Sequence, residues 1–200
     1  MASEKYEYSE KVTTPEFRGA FARLFEPEVD KKGVKRWGVT AIFPKGADIS
    51  VLKNAAMEAA KKAWGDKATE RLKHPKFKSP FKDGSTMVNK AGELYEGFEA
   101  GQFVVKFSTK QQAPGVVDSK VQPIIEASGV QSGDYFKVTA NALAYDREDG
   151  FGIAFTLNNV QKTRAGERLG GGGRADPTTE FAAATAPAGE APANADDLWK

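Results

Sequence analysis

The sequence lacks cysteine altogether and contains a single histidine, His74. Without cysteine there can be no disulfide, no thiol nucleophile and no cysteine-ligated zinc. One histidine provides no partners for a histidine-rich metal site, and a Ser-His-Asp triad would have to run through His74 alone. We therefore expect no cofactor and no metal, and we predict that the protein is not an enzyme.

Long apolar runs are also missing. No stretch approaches the roughly 20 apolar residues that a membrane-spanning helix needs, and Met1 to Lys5 contain nothing like the apolar core of a secretory signal. We therefore expect a soluble cytoplasmic protein with no membrane contact. With 200 residues, of which 40% are hydrophobic, the chain can form one domain or at most two.

Charge is distributed unevenly along the chain. The last 32 residues carry two basic and five acidic side chains, whereas the preceding 168 carry 27 basic and 22 acidic ones. The C-terminal part also contains four consecutive glycines from Gly170 and an Ala/Pro/Gly/Glu stretch from Ala182 to Ala195 with no periodic apolar face. Such composition predicts disorder. We therefore predict a folded domain over residues 1–168 and a disordered acidic tail over residues 169–200.

The spacing of apolar residues predicts that the domain is mostly β. Apolar spacing predicts one helix from Leu52 to Ala63, which Asp48 can cap. Alternating apolar and polar residues predict strands over Thr14–Phe25, Val34–Phe43, Phe103–Thr109, Val116–Glu126, Tyr135–Tyr145 and Phe151–Gln161. One helix among strands that all look antiparallel is typical of a small β-barrel rather than an α/β sheet.

The most informative region for function runs from Lys61 to Lys90, with nine basic and three acidic residues. Trp64, Phe77 and Phe81 are interleaved with these charges, and the prolines and glycine from Lys73 to Gly84 predict an irregular loop. Cations that neutralise phosphates and rings that stack on bases are what a single nucleic-acid strand needs. The alternative is a solvated loop whose phenylalanines fold back onto the core.

Two further segments are candidates. The outward face of Tyr135–Tyr145 alternates tyrosine and lysine with Thr139 and Asn141, which suits either nucleic-acid binding or an ordinary solvated sheet face. The acidic group Asp146, Glu148 and Asp149 offers the clustered carboxylates that a nuclease metal requires. It falls in a predicted hairpin turn, so a solvated turn is the competing interpretation.

The order of segments resembles one family, the single-stranded DNA-binding proteins of tailed bacteriophages. The resemblance rests on three stretches: FARLFEPEVDKKGVKRWGVTAIFPKG from Phe21, LYEGFEAGQFVVKFSTKQQAPGVVD from Leu94, and GDYFKVTANALAYDREDGFGIAFTLNNVQKTRAGERLGGG from Gly133. It implies an OB-fold with an inserted helix, acting in the host cytoplasm. It also implies sequence-tolerant binding of single-stranded DNA in phage replication and recombination, and a tail that contacts the phage DNA polymerase or helicase-primase.

On this basis we assign candidate roles to individual residues. The predicted phosphate contacts are Arg36, Lys73, Lys76, Lys78, Lys82 and Lys137. The predicted base-stacking residues are Phe77, Phe81, Tyr135, Tyr145 and Trp37, the last of which shares a face with core residues. The predicted partner-binding end of the tail is Asp196, Asp197, Leu198 and Trp199. The competing classes are a metal-dependent nuclease acting on DNA and a structural virion protein, and the oligomeric state stays open.

Overall fold

The computed structural model describes residues 5–148 and 150–170. Within these ranges the strands are β1 (Lys5–Tyr8), β2 (Val12–Thr13), β3 (Phe17–Val29), β4 (Lys35–Phe43), β5 (Phe77–Lys78), β6 (Phe81–Asp83), β7 (Phe103–Thr109), β8 (Gly115–Val117), β9 (Tyr135–Arg147) and β10 (Gly150–Arg164). The helices are α1 (Ser50–Trp64) and α2 (Ala68–Leu72), joined by one 3₁₀ turn. None of the helices in this part of the chain is long and apolar enough to cross a membrane.

Five long strands pair in a cycle. The order β9–β3–β4–β7–β10 returns to its start because β10 also pairs with β9 along most of its length. The junctions β3–β9 and β7–β10 are short, with two registered residue pairs each. The fold is therefore mostly β with one substantial helix, as the sequence predicts.

The prediction that all strands are antiparallel is wrong at β10, which runs parallel to β5, β7 and β8. Sequence alternation gives a strand's faces but not its direction relative to a neighbour distant in the chain. Two other segments also differ. The predicted irregular loop contains β5 and β6, and the strand predicted over Val116–Glu126 is reduced to β8, because an Asp118 turn ends it.

The core lies inside the strand cycle. Phe17 packs edge-on against Phe43 at 5.4 Å between ring centroids and stacks with Phe107 at 5.9 Å. On the helix, the buried residues Leu52, Ala55, Ala56, Ala59 and Ala60 form the predicted stripe. They belong to the same core as the alanines of β9, and small residues on both elements allow the helix to approach the sheet closely. Asp48 accepts the backbone N–H of Ser50 at 2.8 Å and so satisfies one donor of the first turn of α1, but the N-cap residue is Ile49, not Asp48 as predicted.

A second, smaller cluster lies on the outer face of β3, β4 and β7. Ala20, Ile42 and Val104 from these strands pack against Phe98 and Leu169. Leu169 is the first residue of the predicted tail, and it is only 8% exposed. The segment from residue 84 to 102 and the chain end near Leu169 therefore cover part of this face, and the strip beside them stays open.

The buried carboxylate of Asp134 binds the backbone near the end of the described part of the chain. Asp134 is fully buried, forms a 2.9 Å ion pair with Lys162, and accepts the backbone N–H groups of Gln131 and Gly166 at 2.9 and 3.1 Å. Removal of one partner of a buried pair leaves the other charge uncompensated.

We therefore expect Asp134→Ala to lower the free energy of unfolding by about 3 kcal/mol, measured by urea denaturation. Asp118→Ala is the matched control, because Asp118 also accepts two backbone N–H groups but lies in a more exposed turn. A loss at Asp134 no larger than at Asp118 would contradict the role of the buried pair.

Candidate nucleic-acid interface

Three adjacent strands present cations on one side of the sheet. β7 lies between β4 and β6, and Lys106 of β7 is registered opposite Thr40 of β4. The neighbours of Lys106 in sequence, Val105 and Phe107, are fully buried, so the alternation of β7 places Lys106 on the outer face. Arg36 of β4 and Lys82 of β6 lie on either side of it.

These residues line two adjoining concavities of about 360 and 340 Å³. Both concavities share Arg36, Thr40, Lys82, Met87 and Lys106. We call the combined surface the basic groove. One end of it reaches Phe21 and Trp37, and the other end reaches Tyr145 and Ala154.

The cations of the basic groove repel one another, and one of them is partly dehydrated. Burial lowers the pKa of the Lys106 ammonium below the ordinary lysine value, and the nearby positive charge of Arg36 lowers it further. Glu28 acts in the opposite direction, whereas Lys82 adds to the lowering. Because the charges repel each other in a partly dehydrated site, a polyanion that enters the groove relieves this repulsion.

The short strands β5 and β6 position their lysines through their aromatic neighbours. Phe81 is half-buried and meets Phe155 edge-on at 6.0 Å, and Phe77 contacts Trp64 and Phe151 at 6.4 and 6.2 Å. The lysine that follows each phenylalanine is exposed. The packing favours the alternative that these rings anchor the segment to the core, and their predicted role in base stacking stays a prediction.

The remaining predicted stacking residues have different surroundings. Trp37 is half-buried, donates its indole N–H to the carbonyl of Phe25 at 3.2 Å, and is among the residues that line the groove. Tyr145 lines the other end, and the Arg147 guanidinium lies 5.1 Å from its ring centroid. The ring of Tyr135 is covered at 3.2 Å by the guanidinium of Arg164, so one of its faces is occupied.

The structure brings only some of the predicted phosphate contacts together. Arg36 and Lys82 meet in the basic groove, and Lys78 lies close to Gly150 and Gly152, near the Tyr145 end. Lys73 and Lys76 are exposed beyond α2, whereas Lys137 lines a separate concavity with Val121 and Gln161. The predicted tail residues Asp196, Asp197, Leu198 and Trp199 lie outside the described residues.

Sequence reasoning missed Lys106 as a site residue. Its outward position follows from the alternation of Phe103–Thr109, but nothing in the sequence shows that this strand lies between those that carry Arg36 and Lys82. Phe21 was missed because simple alternation places it on the core side, together with Phe17.

The acidic candidates do not form a metal site in the described residues. Asp146 is paired with the Arg71 guanidinium, Glu148 is exposed, and Asp149 lies outside the described ranges. Across residues 5–148 and 150–170 no cluster of three or more His, Cys, Asp or Glu side chains could hold a metal ion. The nuclease hypothesis therefore has no support in this part of the chain.

Comparison with known proteins decides the family. The model of the family described as "Enterobacter phage Enc34, ssDNA-binding protein" matches residues 10–191. The chain belongs to this family. This is the family that the sequence resemblance predicts.

One relative and two solved structures are similar to this chain. A putative protein, p50, of Acyrthosiphon pisum secondary endosymbiont phage 1 is 28% identical over 171 residues, covering 82% of this chain and 88% of p50. The structure of the single-stranded DNA-binding protein from bacteriophage Enc34 in complex with ssDNA matches at a TM-score of 0.63 and 18% identity, covering 80% of this chain and 89% of that one. The gp2.5 single-stranded DNA-binding protein of bacteriophage T7 matches at 0.57 and 15% identity, covering 79% and 93%. At these identities the two structural matches show the fold.

The depressed pKa of Lys106 predicts two opposite pH trends. As pH rises through this pKa, Lys106 loses its charge, so affinity for a polyanion should fall before ordinary lysines titrate near 10.5. The free energy of unfolding should rise over the same window, because there the unfolded chain binds more protons than the native one. Filter binding and urea denaturation measure the two trends.

Lys106→Arg is the control, since arginine stays charged throughout this range. It should keep its affinity at alkaline pH. If wild type and Lys106→Arg lose affinity in parallel, the titrating group is not Lys106.

Proposed function

We propose that the chain binds single-stranded DNA along the basic groove without sequence preference, as a non-enzymatic protein of phage replication and recombination in the host cytoplasm. The observation that carries this proposal is the convergence of Arg36, Lys82 and Lys106 on one open strip of sheet, with Trp37 and Tyr145 at its two ends. Cations along a path with rings beside it suit a flexible strand whose phosphates and bases are both accessible.

Lack of sequence preference follows from the chemistry of the lining. The shared part of the groove offers two lysine ammonium groups, one arginine guanidinium, a hydroxyl and a thioether. These groups contact phosphate or the apolar faces of bases, whereas discrimination between bases needs donors and acceptors fixed against base edges. The Enc34 protein of similar fold was solved in complex with ssDNA, which supports the same ligand for this chain.

We infer that the cycle of β3, β4, β7, β9 and β10 is an OB-fold barrel. The supporting observations are the return of the pairing to β9, and α1 inserted between β4 and β7. An OB-fold binds a strand across its central strands and flanking loops. The basic groove lies on β4 and β7, so its position agrees with this assignment.

The groove assignment is tested through salt dependence. Each phosphate neutralised on a single strand contributes about 0.7 to the slope of log affinity against log salt. We expect Lys106→Ala and Lys82→Ala each to weaken binding of oligothymidine and to reduce this slope by about 0.7, measured by fluorescence anisotropy at several salt concentrations.

Lys61→Ala is the matched control. Lys61 is exposed on α1 and lies in the same lysine-rich stretch of sequence, but it does not line the groove. Equal effects of Lys61→Ala and Lys106→Ala would show that general charge, not the groove, determines binding. A wild-type affinity independent of salt would reject the proposal altogether.

For the acidic tail we propose competition with DNA and recruitment of the phage polymerase or helicase-primase through Asp196, Asp197, Leu198 and Trp199. The composition supports both roles. The Gly170 N–H donates to the carboxylate of Glu96 at 3.1 Å. Glu96 follows Tyr95, whose ring contacts the groove-lining Phe21, so the end of the described part lies on the same side of the sheet as the groove. If residues 170–195 are a disordered linker, as their composition predicts, they span on the order of 30 Å and give the acidic end a high effective concentration near the groove.

Truncation tests the tail. We expect a chain ending at Arg174 to keep its melting temperature, to bind oligothymidine more tightly than the full chain at low salt, and to lose capture of the polymerase or helicase-primase. A full-length variant with Asp196 and Asp197 replaced by asparagine should share the tighter binding. Unchanged or weaker DNA affinity in both variants would reject competition, and unchanged capture would reject recruitment.

A further inference from the structure

Two exposed aromatic side chains meet at one end of the basic groove. Phe21 is 44% exposed and Tyr95 is 40% exposed, and their rings contact edge-on with centroids 5.1 Å apart. Phe21 also lies nearly parallel to the buried ring of Phe98 at 5.9 Å. Phe21 lines the same concavity as Arg36, Lys82 and Lys106.

The backbone holds Phe21 in a conformation that its residue type disfavours. Its φ is +50°, in the left-handed region that bulky side chains rarely occupy. The β3–β4 register is interrupted between Ala20 and Arg23, so β3 bulges at this point. Ala20 packs on the outer face with Phe98, and the ring of Phe21 reaches the same Phe98. The bulge therefore brings to the outer face a ring that simple alternation would direct into the core.

The two rings are supported by a buried cluster. Phe98 is buried against Ile42, Val104 and Leu169 in the outer cluster. Gly97, at φ +83°, lies so close to Leu169 that a Cβ would fall 2.6 Å from its Cδ2. A side chain at this position would be strained by the positive φ and would displace Leu169, so the glycine allows the segment that carries Tyr95 and Phe98 to pack closely against Leu169.

We propose that Phe21 and Tyr95 form a stacking platform for one unpaired nucleobase at the end of the basic groove. The inference rests on the proposed function of the groove, and it adds a site that takes the base rather than the phosphate. Continuity with the cations argues for this occupant. A strand that follows Arg36, Lys82 and Lys106 with its phosphates carries its bases past the exposed ring of Phe21.

The platform also predicts how the protein distinguishes single strands from duplex. In a duplex both faces of a base are covered by its neighbours, whereas an unpaired base can stack on a ring. Backbone strain kept at an exposed ring beside a groove is the kind of outlier that points to function. Stacking tolerates any base, which agrees with binding that lacks sequence preference.

The test compares Phe21→Leu, Tyr95→Leu and Phe21→Tyr in the full-length chain, by titration with a short oligothymidine. Phe21→Leu should weaken binding by about 5- to 150-fold, and Tyr95→Leu should weaken it to a smaller extent. Phe21→Tyr keeps a ring and should retain wild-type affinity. The salt slope should stay unchanged in all three, because no phosphate contact is lost. Ile125→Ala is the control, as it removes an 84% exposed apolar side chain that does not line the groove.

An abasic strand of the same length separates stacking from a structural effect. On this strand wild type and Phe21→Leu should bind equally, because no base is present to stack. Equal affinity of the two proteins for oligothymidine, or a loss in Phe21→Leu that persists on the abasic strand, would overturn the platform. Tyr95→Leu repeats both measurements if Phe21→Leu lowers the melting temperature.

The outcomes distinguish the platform from the groove. If Lys82→Ala and Lys106→Ala change the salt slope but Phe21→Leu binds oligothymidine like wild type, the platform is rejected and the groove stands. If neither lysine variant changes affinity or slope, the proposed function of the groove is rejected first.

Discussion

The antiparallel pairing of β4 with β7 is the constraint on which the rest of the structure depends. The paired residues Val39 with Phe107 and Ala41 with Val105 fill the core. Because side chains alternate along a strand, the residues between them must face outward. That outward row contains Lys106, which lies between a cation from β4 and a cation from β6. The same pairing therefore packs the core and assembles the charge of the groove.

The charge of the groove comes at a cost to the free protein. Lys106 is partly dehydrated and faces Arg36 and Lys82, and its lowered pKa records this unfavourable environment. A lysine paired with an acid would avoid this cost, but among the described residues Glu28 is the only acid in the groove lining. An excess of positive charge therefore stays available to an anionic ligand. At this site the clustered positive charges favour binding of an anion but lower the stability of the free protein, as is common where a protein holds like charges together.

Much of the fold can be predicted from local patterns, whereas the site depends on pairings between distant strands. The alternation of β9 and the alanine stripe of α1 are strong signals, and the structure confirms both. The segment around Phe77 and Phe81 looks irregular because prolines interrupt it, yet pairing with β7 and β10 makes it two short strands. The outward position of Phe21 depends on a bulge, and a bulge leaves no reliable trace in the hydrophobic pattern.

The arrangement explains why charge alone does not define the ligand. Any polyanion can relieve the repulsion among Arg36, Lys82 and Lys106, and we propose that the acidic end of the chain is one such polyanion. A single DNA strand differs from other polyanions because each phosphate is followed by a flat apolar face. The groove has aromatic residues next to its cations at both ends: the exposed Phe21 and the half-buried Trp37 at one end, and the half-buried Tyr145 at the other. Ligands that offer only charge can occupy the middle of the groove, but an unpaired strand can occupy the middle and the ends together. If the groove binds DNA as proposed, this geometry turns general attraction for anions into a preference for unpaired nucleic acid.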